Sequence, residues 1–394
     1  MDIHDFNLCN VRYTPEQPFI IAEIGTSHAG DHARGAELIA AAAEAGADCV
    51  KFQHVIAAEI IHPATGLVPL PGGSIPLYER FRALQTSPAF LLGMMEEAEK
   101  RSVVFLCTPF GIQSARDLRR LGVRVLKVAS PELNHLPLLA EMASYGLPTI
   151  LSTGVSRLGD IETATGFFSD QSRDQSGNRS SDQAYRGNKD GSLALLHCVT
   201  AYPAPEEDYN LRVLPLLSGM FGCAIGVSDH SMDPVLVPAL AVAMGGSIIE
   251  KHICLSRSGD GLDDPIALPP DAFAFMVKAI RAVARNGSAK TVEDLAEIHG
   301  TARVEAVLGT GAKRLAPSEA ANYERTTRSI HASRPIMRGE AFGIHNLAIL
   351  RTEKVLRPGL HPSMMCRLEG RMAAKDIPDG EGIEWADLGG FIQG

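Results

Sequence analysis

A short apolar run that ends in polar or charged groups, followed by a stretch with helical periodicity, recurs eight times between residues 18 and 285. The runs are 18–23, 48–53, 103–108, 123–127, 148–152, 193–198, 224–228 and 247–252. Each is too short for a helix and is bounded by turn residues, the pattern of a strand buried on both faces. Between the runs, apolar residues recur at helical spacing. Ala36, Leu38, Ile39, Ala42 and Ala43 share one face before Gly46, and Phe90, Leu91, Met94, Met95 and Ala98 do so within 87–101. Further helices are expected at 114–121, 136–144, 160–168, 211–217, 234–244 and 270–285. Strands that alternate with helices form a parallel sheet. Eight units and the absence of a GxGxxG turn favour a (β/α)8 barrel, an α/β TIM barrel, over a doubly wound open sheet.

The rest of the chain breaks this rhythm. Residues 62–76 form a Pro/Gly-rich excursion that reads as a loop over one face. Residues 169–191 turn to Ser, Asp, Gln, Asn, Arg and Gly, which cannot bury a core and read as a disordered surface insertion. The expected division is a barrel domain over 15–286, a helical and irregular linker over 287–324, and a small β-rich domain over 325–394. The formal charge of −9 gives no basic surface for nucleic acid or anionic membranes, and no apolar run reaches the ~18 residues that span a bilayer. The first residues lack the basic start and apolar core of a signal peptide. Seven cysteines without a CxxC pair read as core thiols in a reducing cytosol, so a cytoplasmic protein is expected.

In a barrel, chemistry sits where the strands end. Those ends carry Glu23, Lys51, Gln53, Thr108, Lys127, Ser130, Ser152, Thr200, Tyr202, Ser228, His230, Glu250 and His252. Lys51 and Lys127 each interrupt an apolar strand, and with the hydroxyls they suit an anionic, phosphate-bearing ligand. His230 and His252 lie 22 residues apart, about one strand–helix–strand repeat, so both can reach one mouth and share a divalent metal. No P-loop is present, which argues against nucleoside triphosphate chemistry. Plainer readings stand beside these. A strand-end serine commonly caps a helix, His197 sits in an apolar run as a core residue would, and His28 lies in a Gly-rich turn.

Taken together, Ala22–Gly25, Lys51–Gln53, Thr108–Phe110, Lys127–Ser130, Ser152–Gly154, His197–Cys198 with Tyr202–Pro203, Ser228–His230 and Glu250–His252 resemble, in order, the motifs of the sialic acid (nonulosonate) synthase family. The tail from Arg328–Ser329 through Arg357–Gly359 resembles that family's C-terminal antifreeze-like (SAF) domain. The resemblance implies a transferase that condenses phosphoenolpyruvate with an N-acetylated amino sugar to give a sialic-acid-like nonulosonate and phosphate. It implies phosphoenolpyruvate on Lys51, Thr108, Lys127, Ser130, Ser152, Thr200 and Ser228, and proton handling by Glu23 and Glu250. It places the sugar on Gln53, Tyr202, Asp263 and Arg328, and a divalent metal on His230 and His252, manganese first, with magnesium or cobalt as alternatives. A homodimer follows from it, in which the small domain reaches over the partner's site. The chain departs from the family pattern at Ser27, where Asn is usual, at Asp264, where His is common, and at Ala267, where Ser is common. These departures leave the sugar open: N-acetylmannosamine, its 6-phosphate, or a diacetamido-trideoxyhexose. The competing readings are a metal-dependent aldolase or hydrolase on the same barrel, and an inactive sugar-binding scaffold.

Overall fold

In the computed structural model, which describes residues 4–70, 73–169, 191–259 and 261–391, the eight apolar runs pair side by side in one parallel sheet. Two antiparallel strands precede them, β1 (Phe6–Leu8) and β2 (Val11–Tyr13). The sheet begins with β3 (Phe19–Gly25) and β4 (Cys49–His54). The excursion after β4 is not all loop: Leu67–Leu70 (β5) and Gly73–Pro76 (β6) pair as a hairpin, because extended backbone in a Pro/Gly-rich segment satisfies its amides by pairing with itself. The sheet resumes with β7 (Val104–Pro109), β8 (Leu126–Val128), β9 (Thr149–Ser152), β10 (Leu193–Cys198), β11 (Ala224–Asp229) and β12 (Ile248–His252). The order is β7-β4-β3-β12-β11-β10-β9-β8, and β7 and β8 lie next to each other at the seam, so the barrel is nearly closed. The expected insertion lies outside the described residues from 170 to 190.

Side chains alternate along each strand, and the alternation sorts the chain into three environments. One parity, including Ile20, Ala22, Val50, Phe52, Ile225 and Ile249, packs outward against the helices. The other parity points into the barrel. At the N-terminal end it supplies Phe19, Ile21, Cys49, Leu106, Val125, Ile150, Ala194, Leu196, Ala224 and Ile248, which pack with Phe6, Leu8 and Tyr13 of the first hairpin. The hairpin therefore plugs the bottom of the barrel, with the Tyr13 and Phe19 rings 4.5 Å apart. Burying each such aromatic or aliphatic side chain stabilises the fold by about 1.5–3 kcal/mol. Two residues further up the same inward face, the apolar layer gives way to Glu23, Lys51, Thr108, Lys127, Ser152, Cys198, Ser228 and Glu250.

Beyond the barrel, helices Ser288–His299 and Thr301–Leu308 pack on its side, and the chain then crosses to a small domain. There β13 (Arg328–Ala332) pairs antiparallel with β14 (Leu347–Arg351), and β15 (Arg371–Ala373) with β16 (Leu388–Phe391), around Ile330, Ile336, Phe342, Leu368 and Ile383. In this single chain the small domain docks on its own barrel. The buried Glu132 carboxylate receives Arg328 Nε at 2.6 Å and Arg351 Nη2 at 2.6 Å. Among the described residues, no helix is long and apolar enough to cross a membrane.

Candidate active site

At the C-terminal mouth, the inward parity brings two lysines and two carboxylates into one buried network. Lys51 Nζ lies 2.7 Å from Glu250 Oε1 and 3.1 Å from Glu23 Oε2. Lys127 Nζ is 3.8 Å from Glu250 Oε2 and donates to the Ser152 hydroxyl. Ser228 Oγ donates to Glu250 Oε1 at 2.9 Å, and Gln53 Nε2 donates to Glu23 Oε1 at 2.8 Å. Buried charges persist only when paired, and here the pairing is internal, two against two.

The pairing is uneven, and it separates the two carboxyl groups. Burial pushes Glu23 up, and Lys51 opposes this only partly while Glu250 adds to it, leaving Glu23 at about 7. Burial acts on Glu250 too, but Lys127 and Lys51 outweigh it and hold Glu250 down at about 2. Burial lowers Lys127 to about 8, whereas Glu23 and Glu250 keep Lys51 above its ordinary range despite its burial. Two neighbouring carboxyls with separated affinities for a proton are the arrangement that lets one exchange protons near neutrality while the other stays ionised.

The imidazoles of His230 and His252 come together as the sequence spacing suggests, with ring centroids 5.5 Å apart. The half-exposed Tyr202 ring covers His230 at 4.3 Å. His230 Nδ1 lies 2.8 Å from the Val199 carbonyl, which places a proton on Nδ1; burial lowers this ring's proton affinity, but Cys198 and that carbonyl outweigh it and hold His230 up at about 9. Burial and the neighbouring His230 push His252 well below its ordinary range, so its ring is neutral. A neutral His252, and a His230 oriented by the Val199 carbonyl once its Nε2 proton is displaced, suit a divalent metal. Asp263 Oδ2 is 3.8 Å from His252 Nδ1. No group of three or more His, Cys, Asp or Glu in a metal-holding arrangement occurs among the described residues, so the chain offers two imidazoles and leaves the remaining positions open.

A second cluster forms where β9 and β10 end. Ser130 Oγ accepts from Gly154 N at 3.0 Å. A Cβ on Gly154 would lie 2.2 Å from Thr200 Oγ1, so only glycine permits this approach. The amides of Val155 and Thr200 both donate to Glu319 Oε1, at 2.8 and 2.7 Å. Glu319 comes from the segment before the small domain, and no local pattern in the sequence marks it.

Lys51, Gln53, Thr108, Lys127, Ser152, Ser228, Glu23 and Glu250 thus share the barrel mouth with His230 and His252, and Ser130 after β8 and Thr200 after β10 lie on its rim. The Thr108 hydroxyl is buried without a hydrogen-bond partner among the described residues. Arg328 is a correction. It is 1% exposed, and its guanidinium is committed to Glu132 and to the carbonyls of Glu59, Ile60, Phe110 and Ile349. It ties the small domain to the barrel and has no donor left for a sugar; an arginine that pairs with a buried carboxylate across 196 residues looks in sequence like any other arginine. His197 is a packed core residue whose Nε2 meets the Tyr209 carbonyl at 2.6 Å, and His28 Nδ1 accepts from Gly30 N at 2.9 Å within its turn. The sequence also gives no notice that Asp229 and Lys251, inside two of the motifs, pair with each other. They precede the two histidines, carry the outward parity and pair at 2.6 Å in full burial.

Comparison with known proteins agrees with this geometry. The profile of the NeuB family matches residues 38–291, and that of the SAF domain matches residues 327–389. The chain is 34% identical over 387 residues to the spore coat polysaccharide biosynthesis protein SpsE of Bacillus subtilis, covering 97% of each chain. The crystal structure of that protein superposes with a TM-score of 0.77 at 33% identity, covering 98% of this chain and 99% of the other. The chain is 32% identical over 374 residues to the N,N'-diacetyllegionaminic acid synthase of Legionella pneumophila, covering 94% of each. It is 30% identical over 395 residues to a pseudaminic acid synthase of Campylobacter jejuni, covering 98% of this chain and all of the other.

Proposed function

The chain belongs to the NeuB family, and from that membership together with its barrel mouth we propose that it condenses phosphoenolpyruvate with the aldehyde of an N-acetylated amino sugar, forming a nonulosonate and releasing phosphate. The observation that carries this reading is the buried set of Lys51, Lys127, Glu23 and Glu250 beneath His230 and His252. It offers cations for an anionic ligand and a carboxyl poised near neutrality beside it.

Lys51, Lys127 and the hydroxyls of Thr108, Ser130, Ser152, Thr200 and Ser228 hold the phosphate and carboxylate of phosphoenolpyruvate. The unpartnered Thr108 hydroxyl is a donor waiting for such an acceptor. In the reaction, C3 of phosphoenolpyruvate forms a bond to the aldehyde carbon, the aldehyde oxygen gains a proton, water adds at C2, and the C2–O bond breaks to release phosphate. Glu23, held near 7, gives or takes the proton at the sugar oxygen or the water, and Glu250 stays ionised to keep Lys51 and Lys127 charged and in place. Gln53, Tyr202 and Asp263 orient the sugar. A divalent metal, with manganese ahead of magnesium and cobalt, would be held by His230 and His252 and supplies Lewis acidity to the aldehyde oxygen when bound.

The substrate is drawn from N-acetylmannosamine, its 6-phosphate and a diacetamido-trideoxyhexose; the names of the relatives support the last. A homodimer and a cytoplasmic location are part of the same proposal. Phosphate release from phosphoenolpyruvate is measured with manganese across those three sugars, with and without chelator. Release that requires one sugar and disappears with chelator supports the synthase. Absence of release from folded, metal-loaded protein with all three rejects it in favour of an aldolase or a scaffold.

A further inference from the structure

Ser27 and Asp264, two positions the synthase reading leaves without a role, lie 237 residues apart in the chain and meet in the structure: the Ser27 hydroxyl donates to Asp264 Oδ1. The Asp264 side chain is fully buried, and its second oxygen accepts from Gly261 N at 2.9 Å and faces Arg34 Nη2 at 3.5 Å. A buried carboxylate is kept only where its lone pairs are met, and these three donors come from two loops and from the helix His32–Glu44, which carries Arg34. Ser27 belongs to the turn after β3, and Gly261 to the loop after β12. The space around Asp264 is also shaped for it, since a Cβ on Gly259 would lie 2.2 Å from Asp264 Oδ2 and one on Gly261 would lie 2.4 Å from Asp264 Oδ1. A second tie runs parallel, from Leu262 N to Thr26 Oγ1 at 3.2 Å.

The residue next to this lock is Asp263, whose carboxylate stands 3.8 Å from His252 Nδ1 at the mouth. Asp263 is held on a loop, and a loop places a side chain only as well as its own anchors allow. We propose that Asp264, with Ser27 and Arg34, is the positioning set that holds Asp263 at the mouth, and that it thereby governs how the amino sugar, and not phosphoenolpyruvate, is bound. This rests on the synthase reading for its consequence, but the anchoring itself does not. Neither Ser27 nor Asp264 touches Lys51 or Lys127 in any hydrogen bond or ion pair of the structure, so the two ligands should respond differently.

The test compares wild type with S27A, D264A and the double variant S27A/D264A. S27A deletes a single oxygen and is the variant that keeps the test informative where D264A folds poorly. Amide hydrogen exchange is read over residues 255–268 in the metal-loaded protein, and steady-state phosphate release is read with each of the three sugars. The expected result is faster exchange at Gly261 and Leu262 in S27A and D264A. With it comes a rise in the sugar KM of about tenfold or more for D264A, from loss of a charge-assisted anchor, and a smaller rise for S27A. The KM for phosphoenolpyruvate should move less than about twofold, and the double variant should be no worse than D264A because the two residues act as a unit. Unchanged exchange in S27A, equal movement of both KM values, or additive effects in the double variant each overturn the proposal. If wild type releases phosphate with none of the sugars, the synthase reading fails. The exchange data then decide by themselves whether Ser27 and Asp264 anchor the loop.

Discussion

Replacing Glu132 by glutamine should uncouple the small domain from the barrel. Glu132 is fully buried and receives Arg328 through Nε and Nη2 at 2.6 Å each, and Arg351 through Nη2 at 2.6 Å and Nε at 3.2 Å. Glutamine keeps the shape but removes the charge and one acceptor, leaving two buried guanidiniums facing an amide. Removing one partner of a buried ion pair costs about 3–5 kcal/mol. The Arg328 bonds to the carbonyls of Ile60, Ile349 and Phe110 survive the substitution, so the lower half of that range is expected. At about 2–4 °C per kcal/mol for a unit of 150–250 residues, this is a fall in Tm of roughly 6–16 °C, or a separate early transition for the small domain. Calorimetry and limited proteolysis of the segment before β13 read both. The pH dependence gives an independent check. Burial pushes the Glu132 carboxyl up, but Arg328 and Arg351 outweigh it and hold the group well below the ordinary 4.5. Its contribution is therefore complete above pH 4.5 and is lost progressively as pH falls below that value, so the Tm gap between wild type and E132Q should narrow on acidification. A Tm within about 2 °C of wild type at neutral pH, with no new cleavage before β13, would refute the reasoning.

Other substitutions test the mouth and its supports. Lys251→Met should destabilise by about 3–5 kcal/mol because it leaves Asp229 buried and unpaired, while the D229N/K251M double variant should recover part of that loss in denaturant melts. Glu23→Gln should lower kcat by about 10²–10⁴-fold with a much smaller effect on phosphoenolpyruvate binding; an unchanged kcat removes Glu23 from proton transfer. His230→Ala and His252→Ala should each weaken manganese binding measured directly by electron paramagnetic resonance, and chelation of wild type should reproduce their loss of phosphate release. Phe6→Ala should cost about 3–5 kcal/mol without altering KM for either substrate, since it empties the barrel floor and leaves the mouth alone.

Much of this protein is legible along the chain because the signals are local. Short continuous apolar runs, helical spacing between them, and Gly46 after the first helix suffice for eight strand–helix units. Because successive barrel strands are neighbours, a polar residue at a strand tip is already a residue at a shared mouth. Hence Lys51, Lys127, His230, His252, Glu23 and Glu250 can be named from sequence and are found together. The hairpins at 6–13 and 67–76 were less visible, since two or three alternating residues do not stand out from a loop. What tertiary structure alone decides is partnership between distant residues. A buried charge must find its counter-charge wherever the folded chain brings one, and nothing in the local sequence around Glu132, Asp264 or Glu319 says where. Arg328 reads as a free cation on the tail until packing seals it against Glu132, 196 positions away, and Ser27 reads as a turn residue until Asp264 arrives from 237 positions on. Periodicity fixes which face a side chain takes; the low dielectric of the closed interior then selects, among all groups brought to that face, the pairs that can remain charged there.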